Sequence, residues 1–478
     1  MLRDFLISLS FANICLSNIW LRFFYRSKFN MKYFPTANSF LALIINEILF
    51  TLGIWGCLQL IRRFNNKSVS RVVKICICLT VLSFLIALTN SFPVINKKVF
   101  NIVLLMIIAI LLWRRVTFKA TTVFILLLTP FALIILGQSV QKIFSGHHEN
   151  DLPVVSRPIV NPNPNTPRVL WLIFDEMDQR ISFIDRPQNI MLPEFDRFKR
   201  QSLFAENAYP PAGSTIPSIP ALIDGELISG ARRLESDIIK VTFQGANQEV
   251  NWGSQPNIFT RAKKLGINTA LIGEYIPYTR LIGHDLDYCT WSAYRYQYVS
   301  SKDTLWDNLA TQVYSFFHVL ELYYQQQKIA TREIFDGARK LAVDPRYGLV
   351  FIHFPVPHSP FIYKHAWWDQ FPKGYAENLI LSDHLLEKIR KDMETKGVWE
   401  GTNIIISSDH WFRDSKRFDG KVDHRIPFMV KLAGQEEAVV YPWEFNTVLT
   451  HDLVLEILSN KVTTSAELVR WLDEYSES

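Results

Sequence analysis

The sequence predicts an α/β protein in two parts: an N-terminal bundle of about five transmembrane helices, then a domain on a central, mostly parallel sheet. Three observations predict it. Apolar runs of membrane-spanning length crowd the first 145 residues, and a proline-rich stretch follows them. Beyond that stretch, short β-branched and apolar runs alternate with polar helical segments, the pattern of strands with helices between them. The expected divisions are 1–145 for the helical part, 146–167 for a linker and 168–478 for the α/β domain.

A bilayer core is spanned by about 20 apolar residues in a helix. Runs near 4–24, 37–61, 72–92 and 119–141 meet that length, and a shorter one at 99–113 needs Lys98 and Arg114 to snorkel at its ends. A cleavable signal peptide is the alternative for the first run, but no small-residue cleavage site is visible and four runs follow it. Basic residues between the runs set the orientation. Arg3, Arg62, Arg63, Lys67, Arg71, Lys74, Arg114, Arg115 and Lys119 share the side of the N-terminus, against seven on the other. This bias places the N-terminus inside and the large C-terminal part outside.

Single polar residues within these runs have bland readings. Glu47 reads first as a polar contact between helices and second as part of a lipid head-group path. Cys76 and Cys78 stand two apart, so a helix turns them to different sides, as expected of lipid- or core-facing residues rather than a metal pair.

Charge excludes one class of partner. Residues 1–145 hold sixteen Lys and Arg against Asp4 and Glu47, a net +14 that leaves −8 for the rest of a chain whose formal charge is +6. The basic balance belongs to loops beside a membrane and the globular part is acidic, so no nucleic-acid partner is expected. Only Cys289 falls in the C-terminal half, which therefore has no internal disulfide.

The linker carries His147, His148 and five prolines, and its histidines read as solvated. After it, 169–174, 268–272, 349–352 and 403–407 are the strand candidates. The first, third and fourth are followed at once by ionisable residues. In open parallel sheets ligands gather beyond the carboxyl ends of strands, so these three junctions are expected to converge.

Five elements carry chemistry. The first strand ends in Asp175 and Glu176, hard oxygens suited to a divalent cation, though a carboxylate there is often only a helix cap. Thr215 precedes a proline-tolerant first helical turn, at Ser214, Thr215, Ile216 and Pro217, where unpaired N–H groups favour an anion. Its bland reading is an N-cap. Asp409 and His410 leave a strand side by side, a mixed oxygen and nitrogen set that suits zinc or manganese. His358 lies in a proline-rich loop, and His424 and Arg425 precede Pro427, so both loops offer groups that can neutralise charge. His353, within or beside its strand, reads as structural.

The order of these elements resembles the alkaline phosphatase and sulfatase superfamily over most of 168–460. The strand ending in Asp175 resembles that family's first metal-binding strand, and Thr215, Ile216, Pro217, Ser218 and Ile219 resemble the sulfatase Cys-x-Pro-Ser-Arg signature. The stretches from Leu192, Phe204 and Asn257, the His358 loop, Ser408 to His410, and His424 to Phe428 complete the series. Threonine stands where sulfatases oxidise a cysteine to formylglycine, and Ile219 replaces the signature arginine. Threonine and about five spans are instead similar to lipoteichoic acid synthases and lipid A phosphoethanolamine transferases.

The resemblance implies a metal site of Asp175, Glu176, Thr215, Asp409 and His410, with Thr215 as nucleophile and His358, His424 and Arg425 beside the transferred group. The implied ion is divalent: Zn, Mn, Mg or Ca. The implied reaction passes a phospho-head-group from a phospholipid donor, through phosphothreonine, to a glycan or glycolipid acceptor. A tethered phosphodiesterase or sulfuric ester hydrolase is the second expectation, and a metal-free binding scaffold the third. The implied location is a bacterial inner membrane, with the catalytic domain in the periplasm.

Overall fold

The computed structural model describes residues 1–25, 28–64, 117–145, 154–159, 166–293, 298–363 and 373–476, together with Thr80 and Phe84. They divide into two compact units. One is Met1–Lys28, Tyr33–Asp151 and Tyr296–Leu322; the other is Phe29–Lys32, Leu152–Arg295 and Tyr323–Ser478.

The first unit is helical. Among the described residues, Ala37–Arg63 and Thr122–Phe144 are long and apolar enough to cross a membrane. Leu2–Cys15 and Ser17–Phe24, bent by 64° at Leu16, make a third if the pair forms one span. The runs expected at 72–92 and 99–113 lie outside the described residues except Thr80 and Phe84, so the structure bears on three of the five expected spans.

Polar side chains on these helices pair with one another, an arrangement that suits helices able to cross a membrane. Ser10 meets Thr129 at 2.8 Å and Asn13 Nδ2 donates to Glu47 Oε1 at 3.0 Å. Glu47 is thus the helix-to-helix contact of its first reading. The helix Leu305–Phe317 joins this unit through Asn308 and Gln312, one turn apart, which meet Ser39 and Asn46 at 3.1 Å each.

The second unit is built on strands β1 (Val154–Ser156), β2 (Arg168–Phe174), β3 (Leu203–Tyr209), β4 (Ile228–Arg233), β5 (Ile239–Phe243), β6 (Val250–Asn251), β7 (Thr269–Glu274), β8 (Tyr288–Ser292), β9 (Leu349–Phe354), β10 (Thr402–Ser407), β11 (Phe428–Lys431) and β12 (Val439–Asn446). Nine of them form one sheet in the order β1-β8-β7-β9-β2-β10-β11-β3-β12, and β4-β5-β6 form a second. The run from β8 to β10 is parallel throughout; β1 and β11 join antiparallel. All four expected strands are present in it.

Strand β2 is buried at every residue because both faces of the sheet are covered. Val169, Trp171 and Ile173 enter a core closed by Ile219 and Leu222 of the helix Thr215–Asp224 and by Leu453 and Ile457. Leu170, Leu172 and Phe174 enter the opposite core with Phe195, Ile334, Ala338, Leu379 and Leu386. Removing one such side chain costs about 2–5 kcal/mol. In register, Ile173 of β2 lies between His353 of β9 and Ser407 of β10. The carboxyl ends of the three central strands therefore finish level, which brings residues 175, 353 to 358 and 409 to one place.

Candidate active site

Chain order builds the site. Asp175 follows β2 directly: its N–H donates to Phe354 O at 3.1 Å, and its own carbonyl accepts the N–H of His358 at 3.0 Å. The neighbouring strand ends thereby fix the His358 loop. Glu176 then turns through φ 67°, a left-handed value that is uncommon outside glycine. Its N–H reaches Asp409 Oδ1 at 3.3 Å and its carbonyl accepts from the Tyr375 hydroxyl at 2.8 Å. Ser408 Oγ donates to Phe174 O at 2.7 Å and accepts the Met177 N–H at 2.9 Å, tying β10 to the turn after β2.

Asp175, Asp409 and His410, all buried, bring one ligand atom each within 4.8 Å of one another. His410 Nε2 lies 3.4 Å from Asp175 Oδ1 and 3.5 Å from Asp409 Oδ2. The His410 Nδ1 faces the carbonyl of Trp411 at 2.9 Å, and a carbonyl only accepts, so Nδ1 carries a proton and Nε2 is the ring nitrogen turned to the carboxylates. Asp175 Oδ1 and Asp409 Oδ2 are buried without a hydrogen-bond donor among the described residues. Two buried carboxylate oxygens without donors repel each other until a cation sits between them, and with a ring nitrogen converging on the same point the set fits a divalent ion.

The electrostatics agree. Burial, with the Asp409 and Glu176 carboxylates adding to it, pushes the Asp175 carboxyl well above the usual range. Burial acts on Asp409 too, but the His410 and His353 imidazoles outweigh it and hold that carboxyl below the usual range.

Thr215 is the first residue of its helix, with extended Ser214 before it and Pro217 in the first turn. Its Oγ1 lies 3.4 Å from His410 Nε2 and it is 8% exposed, so the hydroxyl faces the cation site rather than bulk water. Gly213 permits this approach. A Cβ there would meet the Trp411 ring at 2.5 Å.

Asp175, Thr215 and His358 line one cavity of about 230 Å³ together with Arg413, Arg233, Glu274 and Tyr275. Glu176 does not join the three ligand residues; its Oε1 accepts from Arg413 Nε at 2.7 Å. Arg413 Nη2 also donates to His358 Nε2 at 3.2 Å, while His358 Nδ1 bonds Ser359 O. Burial lowers the His358 pKa, so the ring stays neutral and accepts from Arg413.

Two further residues lie outside the cavity lining. His424 stacks on Trp411, with ring centroids 4.3 Å apart. Arg425 is held by Asp423 at 2.6 Å and by Asn207 at 3.1 Å, at the edge of β3. His353 is fully buried with Nδ1 3.0 Å from the Tyr278 hydroxyl, and its Nε2 has no hydrogen-bond partner among the described residues.

Sequence reasoning missed Arg413, Arg233, Glu274 and Tyr275. Glu274 had a signal: it ends β7 in the same way as Asp175 follows β2, but the strand was expected to stop at 272. A larger cavity of about 460 Å³, lined in part by Arg168 and Gly348, lies at the opposite strand ends and holds none of these ligands.

A hydroxyl at a helix N-terminus, facing a buried two-carboxylate and one-imidazole site beyond a parallel sheet, is the arrangement of an enzyme acting on sulfate or phosphate esters. The Sulfatase family model matches residues 167–459, and the chain belongs to that family, whose members are metal-using hydrolases of such esters. Among solved structures the chain is similar to a sulfatase from Pseudoalteromonas sp. (15% identity, TM-score 0.45, covering 62% of this chain and 68% of that one). It is similar also to an alkaline phosphatase superfamily protein from Vibrio parahaemolyticus (12%, 0.40, 62% and 68%). A phosphonate monoester hydrolase of Agrobacterium radiobacter gives 13%, 0.42, 61% and 74%. No curated protein matches the chain.

Proposed function

We propose that the chain is a membrane-anchored transferase that takes a phospho-head-group from a phospholipid onto Thr215 and passes it to an envelope glycan or glycolipid. One observation carries this reading: Thr215 Oγ1 stands 3.4 Å from His410 Nε2, at the mouth of the Asp175, Asp409 and His410 set. Formylglycine chemistry needs a cysteine, and residue 215 is threonine. Helices able to cross a membrane precede the catalytic part, which suits a lipid donor and a periplasmic site.

Asp175, Asp409 and His410 would hold the divalent ion, with Thr215 completing the set. When bound, the ion supplies a Lewis acid that lowers the hydroxyl pKa and neutralises phosphoryl oxygens. The chain's own groups do the rest. Oγ1 forms the new P–O bond as the bond to the lipid alcohol breaks, and diacylglycerol leaves with a proton. The N–H groups of Thr215 and Ile216 precede Pro217 in the first helical turn, where they can bind phosphoryl oxygens. Arg413, half exposed beside His358, is placed to balance the negative charge that builds in the transition state.

The family match supports a second outcome, in which water takes the acceptor's place and the enzyme is a tethered hydrolase. Both readings share the first half-reaction. The test is incubation of the full chain with head-group-labelled phospholipids, followed by peptide mapping. Label on the Thr215 peptide with diacylglycerol release supports the reading; label retained by Thr215→Ala overturns it. Turnover only with added glycan marks a transferase, and turnover without it a hydrolase.

A further inference from the structure

The short segment Phe29–Lys32 lies between the first helices and Ala37–Phe64, yet it belongs to the catalytic unit. Phe29 and Met31 are fully buried, and Phe29 is part of a sheet core. Arg280 Nη2 donates to Met31 O at 2.7 Å, and Lys32 Nζ meets Glu333 at 2.6 Å. Glu333 in turn accepts from Ser292, the last residue of β8, at 2.8 Å. Asn30 is thereby fixed among anchored neighbours.

Asn30 holds two residues of the active-site cavity. Its Nδ2 donates to Tyr275 O at 2.7 Å, and its Oδ1 accepts from Arg233 Nη1 at 3.3 Å. Tyr275 stands at φ 69°, a conformation a bulky residue keeps only where its surroundings over-determine it. The Asn30 bond and the Tyr275 N–H to Ser292 O at 3.1 Å are two such constraints. Arg233 is held from three directions. Its Nη1 donates to the Tyr275 hydroxyl at 2.8 Å, and its guanidinium carbon lies 5.4 Å from the Phe29 ring and 5.5 Å from that of Tyr275.

That leaves the Nε and Nη2 edge of Arg233, for which no partner is seen among the described residues, and no carboxylate pairs with it there. A guanidinium fixed on one edge and open on the other is a fork preformed for an oxyanion. Arg233 comes from β4 of the small sheet, whereas the cation site is built from the ends of β2 and β10.

Resting on the ester-cleaving role of Thr215, we infer that Arg233 binds an oxyanion carried by the substrate outside its reacting group. Asn30 is the positioning residue that aims it. The substrate class is therefore an ester with a second negative charge, phosphate-like or carboxylate-like.

The test is calorimetric titration of the full chain in detergent with manganese supplied. Three ligands are compared: butylphosphonate, 3-carboxypropylphosphonate and propane-1,3-diphosphonate. A second oxyanion on a guanidinium fork is worth about tenfold in affinity, so one or both doubly charged ligands bind about tenfold tighter than butylphosphonate. The tighter of the two identifies the kind of charge. Arg233→Gln brings the three to one affinity, and Asn30→Ala, which leaves the Arg233 charge in place, reduces the ratio severalfold. The ratio is the readout because a general loss of packing lowers all three affinities together. Equal affinities in the unaltered chain, or a ratio preserved in Arg233→Gln, overturn the inference. A Thr215 adduct with equal affinities sinks this inference alone. A preserved preference without any adduct supports it and sinks the transfer reading alone.

Discussion

His410 commits its Nδ1 to the Trp411 carbonyl and turns Nε2 toward Asp175 Oδ1, 3.4 Å away, so a ring nitrogen and a carboxylate oxygen face each other across one point. A cation or a shared proton fits that point. Purified protein should carry a stoichiometric divalent ion, measurable by elemental analysis. Adding metal at about a hundred times its dissociation constant to stripped protein should stabilise it by about 2.7 kcal/mol. Asp409→Asn should lose the ion and this response. A stripped protein whose unfolding temperature ignores zinc and manganese would remove the metal site.

Thr215→Ala should abolish the covalent adduct and lower turnover by on the order of a thousandfold or more. Thr215→Ser keeps the hydroxyl at the helix N-terminus and should retain the adduct. Mass spectrometry of trapped enzyme checks both. The N-cap position belongs to Ser214, so undiminished turnover in the alanine variant would show that the Thr215 hydroxyl takes no part in the reaction.

Arg413 touches both Glu176 and His358 and borders the cavity. Arg413→Ala should lower kcat by about a hundredfold with a smaller effect on KM, as expected of a group that acts mainly in the transition state. Arg413→Lys keeps the charge but not the planar fork, so it should recover only part of the loss. A change confined to KM would assign Arg413 to ground-state binding instead.

His353 gives a pH dependence of stability. Burial lowers its pKa to about 4, against about 6.5 in an unfolded chain. The native state therefore keeps this ring neutral where the unfolded chain binds a proton. Its stabilising contribution is complete above about pH 6.5 and is lost as the pH falls toward 4, amounting to about 3 kcal/mol. Thermal unfolding at pH 7 and pH 5 should show a larger drop for the unaltered protein than for His353→Gln. Equal drops would mean that the ring is protonated in both states.

What the sequence disclosed follows from where the information is local. Strands β2, β9 and β10 are buried on both faces, so they read as unbroken apolar runs, and their ends are marked by the first ionisable residues. Asp175, Asp409 and His410 stood out for that reason. Arg413 did not, because its partner Glu176 is 237 positions away and nothing near it announces a pairing. Arg425 was read by its neighbourhood as a charge-neutralising group, yet Asp423, two residues earlier, engages it. Phe29 sits beside a membrane-length run, and nothing in its local sequence ties it to the catalytic part. Only the three-dimensional structure shows it inside a sheet core.

That last placement bears on how the catalytic part can be produced in isolation. A protein trimmed to begin at the linker keeps the whole sheet and every ligand of the cation site, but it lacks the aromatic ring supplied from position 29. The hole left behind is that of a deleted buried phenylalanine, about 3–5 kcal/mol, a large fraction of an ordinary domain's stability. Soluble versions should accordingly express poorly and melt early, and a peptide spanning residues 28–33 added in trans is the natural remedy.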